Sequence, residues 1–330
     1  PFAGYQMPVR YSGDKAEHMA VRDNAGLFDV SHMGEFFISG EGAEATLEQI
    51  TVNNVSKLEP GKAQYSALIN EQAGIIDDLI IYKLADKHYM AVVNAANLEK
   101  DRLWFEKHLS DGTSFEDHSA STILLALQGP KATEILQPLV DSPIGDLAFY
   151  TFTHANVAGV KDVLVSATGY TGSGGYELYA PAGQASHLWD ALMEAGQPHG
   201  MLPCGLSARD TLRLEMGLLL YGNDMTEANH PYEAGLGWIT KRKKSTPCLA
   251  KDKLDALKEQ GFERKLVGFV LEDKGIPRHD YPIEDENGKE IGVVTSGSIS
   301  PILNKGIGLA YVKQEWAEPG TSIFVRARKK

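Results

Sequence analysis

The stretch Gly169-Tyr170-Thr171-Gly172-Ser173-Gly174-Gly175-Tyr176-Glu177-Leu178-Tyr179 has two glycine-rich corners and closes on a carboxylate set among aromatic rings. Residues 163–167 before it and 176–179 after it read as strands, so the segment predicts a hairpin. Glycine lets backbone approach a partner closely and takes positive φ at little steric cost. The aromatic side chains offer flat apolar surface, and Glu177 offers two acceptor oxygens at fixed spacing. A flat heterocycle with adjacent N–H donors, a pterin among them, needs that combination. A Gly-rich hairpin with an outward-facing Glu needs no ligand, and the segment alone leaves both readings open.

Outward from this hairpin the chain mixes strands and helices, which predicts an α+β fold. Strands are expected at 35–39 and 121–127, and a hairpin pairs 78–84 with 88–94 around Ala85-Asp86-Lys87. Helices are expected at 42–50, at 98–109 with Asn97 as cap, from Gly129-Pro130 to 139, and at 184–194. Ser207 with Asp210 three residues on suggests a capping box for a helix carrying Arg209 to Met216. Residues 241–244 and 250–261 read as a charged connector with a short helix. From Lys265 onward strands at 265–271, 290–296, 308–313 and 321–326 alternate with turns such as Asn287-Gly288, the pattern of a separate all-β module, expected as a barrel.

The 330 residues suggest two or three domains, and 43% hydrophobic with 23% charged content is ordinary for a protein with a real core. No apolar run is long enough to span a bilayer, so no membrane role is expected. The net charge of −12, from 32 basic and 44 acidic residues, repels phosphate backbones and argues against nucleic acid. An anionic small molecule would bind only where arginines reverse the field. Cys204 and Cys248, far apart, give neither a CxxC nor a disulfide framework and read as buried thiols. The ten histidines lack paired-ligand spacing, so no metal is expected. A first residue Pro1 points to native residues preceding it, where a targeting peptide would lie, and the end at 326–330 reads as a truncation.

Asp101 draws most weight among the candidate site residues. On the 98–109 helix it falls on the apolar stripe of Leu98, Phe105 and Leu109, where a carboxylate is costly without a partner. A first-turn Asp favoured by the helix dipole accounts for it equally. Arg209, in the first turn of its own helix, could hold an anion or pair on the surface. Arg278, in Gly275-Ile276-Pro277-Arg278, could reach an anionic ligand from the β module or simply be a loop charge. His32 with Asp29 and Ser31 lacks the G-x-S-x-G turn of a nucleophile and reads as structural. Gly172-Ser173-Gly174-Gly175 leads into a strand, so a Rossmann or P-loop reading fails on context.

Several further segments stand in order with these: Pro1-Phe2-Ala3-Gly4-Tyr5 with Met7-Pro8-Val9, Leu27-Phe28-Asp29-Val30-Ser31-His32-Met33, and Asp77-Asp78-Leu79. They continue through Asn94-Ala95-Ala96-Asn97-Leu98-Glu99-Lys100-Asp101, Leu127-Gln128-Gly129-Pro130, Ala208-Arg209-Asp210 and Gly222-Asn223-Asp224-Met225. Together with Gly169-Tyr170-Thr171-Gly172 they resemble the aminomethyltransferase (T-protein) family of the glycine cleavage system over essentially the whole chain.

The resemblance implies a three-domain cloverleaf around a central folate channel, with a C-terminal all-β barrel. The first domain would be 1–53 plus 152–241, an inserted second domain 54–151 would carry Asp101, and 242–330 would form the linker and barrel. It implies tetrahydrofolate as the cofactor and the lipoylated H-protein as the partner. In the family's reaction an aminomethyl group is taken from the lipoyl arm and ammonia released, giving 5,10-methylenetetrahydrofolate and dihydrolipoyl protein. Glu177 matches the family's pterin-binding Glu, Asp101 its catalytic Asp and Arg209 a folate-contacting Arg; Tyr82, Tyr170 and Tyr176 would line the channel. Bacterial cytoplasm and mitochondrial matrix are both compatible with the composition.

This chain departs from the family in its Gly-Ser-Gly-Gly turn, usually more acidic, and in residues 241–250. Alternatives within the fold are another folate-dependent demethylase or a non-catalytic folate-binding iron–sulfur assembly protein. The latter's Lys-Gly-Cys-Phe/Tyr-x-Gly-Gln-Glu-like motif is absent from Ser245-Thr246-Pro247-Cys248-Leu249-Ala250.

Overall fold

A computed structural model describes residues 3–327, so Pro1-Phe2 of the N-terminal motif and the last three residues of the 326–330 end lie outside the described residues. In chain order the first part gives α1 (Asp14–Asp23), β1 (Gly26–Asp29), β2 (Gly34–Ser39), α2 (Ala43–Ile50), β3 (Lys62–Ile69) and β4 (Ile75–Ala85). There follow β5 (His88–Val93), α3 (Leu98–Lys107), β6 (Ser114–Asp117), β7 (Thr122–Gln128) and α4 (Ala132–Leu136). The middle contains β8 (Phe152–Val157), β9 (Val160–Ser166), β10 (Gly175–Pro181), α5 (Ala185–Gly196), β11 (Leu202–Pro203) and α6 (Leu206–Glu215). The last part contains α7 (Lys251–Gln260), β12 (Arg264–Val270), β13 (Pro282–Glu284), β14 (Glu290–Ser300), β15 (Lys305–Lys313) and β16 (Phe324–Val325).

The fold is α+β, as expected, and the described residues form three sheets, of order β11-β1-β7-β10-β9-β8, β3-β4-β5-β2-β6 and β12-β15-β14-β13-β16. The third, all antiparallel in its pairing, is the C-terminal all-β module, and in that order β12 and β16 are its edges. The chain divides into two compact units: Pro1–Thr46, Lys57–Tyr65 and Leu79–Leu212 in one, Leu47–Ser56, Ser66–Asp78 and Arg213–Lys330 in the other. β2 pairs with β5 and β6, while β7 lies between β1 and β10.

The first sheet positions the candidate site. Its strand β7, Thr-Ile-Leu-Leu-Ala-Leu-Gln, is apolar without a break because both faces are covered. Ile123, Leu125 and Leu127 join Tyr176, Leu178, α4 and α5 in one core. Leu124 and Ala126 join Tyr179, Tyr82, α1 and α6 in another. Strand alternation sorts β10 the same way, Tyr176 and Leu178 to the first core and Tyr179 to the second. At Gly175, where β10 begins, φ is +122° and a Cβ would come within 2.2 Å of the Leu127 carbonyl, so glycine is required.

Two helix starts differ from the sequence reading. Helix α6 begins at Leu206, so Ser207 lies inside it and the Ser207–Asp210 capping box does not form. Its first two N–H groups, of Leu206 and Ser207, donate instead to the Pro8 and Val9 carbonyls ahead of α1, while Gly205, just before the helix, donates to Glu17 of α1. Asn97 does stand at the cap position of α3, without a side-chain cap bond. Helix α1 was not anticipated, because its buried face includes Glu17 and His18 alongside Ala20 and Val21. The Glu17 carboxylate accepts the backbone N–H groups of Tyr11, Ser12, Gly13 and Gly205 at 2.6, 2.8, 3.0 and 2.8 Å, and His18 Nδ1 lies 2.8 Å from Thr211 Oγ1.

In the second unit Arg213 and Asp224 form a buried pair at 2.7 Å. Asp224 also accepts from Thr295 Oγ1 and the Leu220 N–H, and Arg213 donates to Ser296 Oγ.

Candidate functional site

Glu177 is the centre of the site. β10 lies between β7 and β9, and Glu177 stands opposite Ala126 on one side and Ser166 on the other. Its side chain keeps some exposure. Thr168, two residues beyond the end of β9 and buried, donates its hydroxyl to Glu177 Oε2 at 2.5 Å. Tyr82, fully buried on β4, places its OH 3.1 Å from Thr168 Oγ1 and 3.1 Å from Tyr179 OH. Ser166 Oγ is 2.9 Å from Thr168 Oγ1.

Surrounding protein raises the Glu177 carboxyl above its ordinary range, opposed by the Thr168 hydrogen bond and the Arg209 charge. The same burial drives the Tyr82 and Tyr179 phenols upward, with Glu177's charge adding to it, so both stay protonated and able to donate. Arg209, half-buried in the first turn of α6, lies over the Tyr170 ring at 4.5 Å. Burial, together with Arg209, holds His32 down to about 4, so this imidazole is neutral at physiological pH. Because the first N–H groups of α6 are already bonded, any anion held here would be held by the guanidinium rather than by the helix end.

The Gly-rich loop is fastened from two sides. Arg22 of α1 donates to the Thr171 carbonyl at 2.5 Å, to Ser173 Oγ at 2.6 Å and to the Leu212 carbonyl at 3.2 Å. Gln128, at the end of β7, accepts from Thr171 Oγ1 at 2.8 Å and donates to the Thr168 carbonyl at 3.1 Å. Both ends of the segment from Thr168 to Ser173 are thereby fixed around Tyr170.

The structure therefore brings Glu177, Arg209, Tyr170 and Tyr82 together, with Tyr82 behind the carboxylate inside the core. It does not bring Tyr176 with them. That side chain is on the opposite face of β10, where its OH lies 2.8 Å from Thr133 Oγ1 and donates to the Ile144 carbonyl at 3.1 Å. Period-two alternation from Glu177 predicts this separation and selects Tyr179, the residue the sequence reading passed over. Arg278 is exposed in the other unit, on the loop between β12 and β13.

Asp101 sits in the first turn of α3, fully buried on the same face as Phe105. Phe105 packs edge-on against Phe36 of β2, ring centroids 5.6 Å apart. Gly34 is what lets α3 come so near β2, since a Cβ there would fall 2.3 Å from Leu98 Cδ1 and 2.8 Å from Val93 Cγ2. Among the described residues no group of three or more His, Cys, Asp or Glu is arranged to hold a metal ion, and no helix is long and apolar enough to cross a membrane.

Known proteins resemble this chain over its whole length. The family model for the GCVT N-terminal domain matches residues 1–244, and that for the glycine cleavage T-protein C-terminal barrel domain matches 264–330. An aminomethyltransferase of Flavobacterium psychrophilum is 53% identical over 100% of this chain and 91% of its own length. That of Bacteroides thetaiotaomicron is 50% identical over 99% and 91%. The crystal structure of glycine cleavage system aminomethyltransferase T from Bartonella henselae superposes with a TM-score of 0.92 at 34% identity, covering 100% of this chain and 90% of that one. An α+β fold of this architecture, with its C-terminal all-β module, falls in the class of the aminomethyltransferases. The chain belongs to the glycine cleavage T-protein family.

Proposed function

We infer that this protein is an enzyme, the aminomethyltransferase of the glycine cleavage system. It takes the aminomethyl group carried on the lipoyl arm of the H-protein, releases ammonia and passes the one-carbon unit to tetrahydrofolate, leaving dihydrolipoyl protein. The observation that carries the reading is a partly exposed carboxylate, oriented by a buried hydroxyl and flanked by a guanidinium and a tyrosine ring, in a chain matched end to end by this family.

The residues fit a reduced folate. Glu177 keeps acceptor capacity beyond its bond to Thr168, suited to two adjacent N–H donors such as a pterin ring N3–H and 2-amino group. Tyr170 offers a flat face beside it. Arg209 supplies positive charge in a protein of net charge −12, which suits the anionic end of the ligand. Bound tetrahydrofolate supplies the nitrogen nucleophiles that accept the carbon unit. Asp101, as an anion, orients the accepting nitrogen, stabilises developing positive charge and moves a proton. Its position in the first turn of α3 adds the helix dipole, which favours the ionised form.

The test is direct. Purified protein, tetrahydrofolate and aminomethylated H-protein are combined and ammonia is measured. Release that requires all three supports the reading. No ammonia from a folded protein that binds tetrahydrofolate makes this a folate binder of the same fold instead.

A further inference from the structure

We propose that Tyr179, Tyr82 and Thr168 form a one-way chain of hydroxyl donors whose purpose is to hold Glu177 as an ionised, acceptor-only carboxylate at the ligand face, which makes all three positioning residues for folate recognition. The inference rests on the reading of Glu177 given above and adds to it residues that do not themselves contact ligand.

The direction follows from counting protons. A threonine hydroxyl has one proton to give, and an ionised carboxylate has none. The Thr168 proton therefore goes to Glu177 Oε2. Tyr82, 3.1 Å from the same Thr168 oxygen, must then donate to it, and so must Ser166 Oγ, 2.9 Å from it, because the Thr168 proton is already used. That uses the only proton of Tyr82, so Tyr179, 3.1 Å from Tyr82 OH, must donate in its turn. Three O–H dipoles point the same way and end on one charge. Each link polarises the next, and in a dry surrounding such chains are stronger than separate bonds. All three side chains are buried, Thr168 at 2%, Tyr82 at 0% and Tyr179 at 5% exposure, so water does not compete for the links.

If Glu177 were protonated instead, Oε2 would accept from Thr168 as part of a neutral carboxyl, and the charge-assisted bond at the end of the chain would weaken. The chain thus discriminates between the two states of the carboxyl and opposes the burial that would neutralise it. A ligand offering two N–H donors requires the ionised state.

The other charged and titratable groups near the chain stay fixed over the useful pH range. Glu35 of β2, which acts on Tyr179, is pushed by burial up to about 9 and is neutral. His32, beside Arg209, is held near 4 and is neutral as well. Between pH 5 and 8 a change at the site therefore reports on Glu177.

The experiment has two readouts. Tetrahydrofolate binding is followed by calorimetry from pH 5 to 8, without oxygen. The Glu177 carboxyl is titrated without ligand by carbon NMR of Glu-labelled protein, with Glu177→Gln assigning the signal. In Thr168→Val the carboxyl titrates at higher pH, and binding weakens about tenfold at pH 7, the scale of one hydrogen bond to a charged group. Its loss of affinity on acidification also begins at higher pH. Tyr82→Phe shifts both in the same direction by less, and Thr168→Ser restores both.

The proposal is overturned if Thr168→Val titrates as wild type does, or if Thr168→Ser is as defective as Thr168→Val, since then shape rather than the hydroxyl matters. Wild-type protein that does not bind tetrahydrofolate overturns the functional reading, while the ligand-free titration still decides whether the chain sets the state of Glu177.

Discussion

At the scale of single residues the proposed function gives the two acids separable tasks. Glu177→Gln keeps shape but replaces one acceptor oxygen by a donor, which faces a ligand donor. We expect tetrahydrofolate affinity to drop by about 1.5–3 kcal/mol, measured by calorimetry, with turnover at saturating folate affected less. Asp101→Asn should leave binding near normal and lower kcat by roughly 10²–10⁴-fold, the range for a group that handles a proton, in the H-protein-coupled ammonia assay. Near-normal turnover would remove Asp101 from the chemistry. Arg209 and Tyr170 were readable because each lies in a segment that carries the family resemblance, and Glu177 because it closes the glycine-rich hairpin. Thr168 was not, since one threonine before a glycine corner has no signature of its own. Tyr176 was misjudged for a physical reason: the neighbour of a site residue along a strand is its opposite in space.

At the scale of elements, the hairpin and helix α3 were readable from glycines and from apolar spacing, whereas helix α1 was not. Its buried face includes an acid and an imidazole, which become affordable only through partners elsewhere in the chain, and no local pattern announces these. The same holds for Arg22, whose importance lies in reaching Thr171, Ser173 and Leu212, far along the chain. Arg22→Met retains the aliphatic stem and removes the donors. It is expected to destabilise the protein by about 1–3 kcal/mol in urea unfolding, because carbonyl and hydroxyl acceptors lose their partner. The stretch from Thr171 to Ser173 should also become more open to protease, and folate binding should weaken with it. Unchanged stability and unchanged cleavage would show that Gln128 suffices to hold the loop.

At the scale of the whole molecule, the many short segments in order made the family legible from end to end, while long-range pairings such as β2 with β5 and β7 with β10 have no local signature. Stability against pH is also a property of the whole. Glu35 is fully buried, its carboxyl oxygens lack hydrogen-bond partners among the described residues, and burial, with Asp117 adding to it, lifts it to about 9. The folded protein therefore retains a proton there that the unfolded chain loses near 4.5, and stability falls as pH rises from about 4.5 toward 9. His32, lowered to about 4, acts at the other end: below 6.5 the unfolded chain takes up a proton that the folded one refuses, and stability falls as pH drops toward 4. Glu35→Gln should flatten the fall of Tm between pH 6 and 9 and raise stability at pH 7 by on the order of 1–3 kcal/mol. An unaltered slope would show that Glu35 is already ionised.

One carboxylate, Glu17, gathers four amides from two distant stretches. Although burial alone would raise its carboxyl, these amides hold it below its ordinary range. Gly205 is the last residue before the helix that bears Arg209, and Tyr11 to Gly13 lead into α1. Loosening at the beginning of the chain is thus mechanically tied to the guanidinium, and the exchange of these four amides with solvent is a single shared opening event rather than four independent ones.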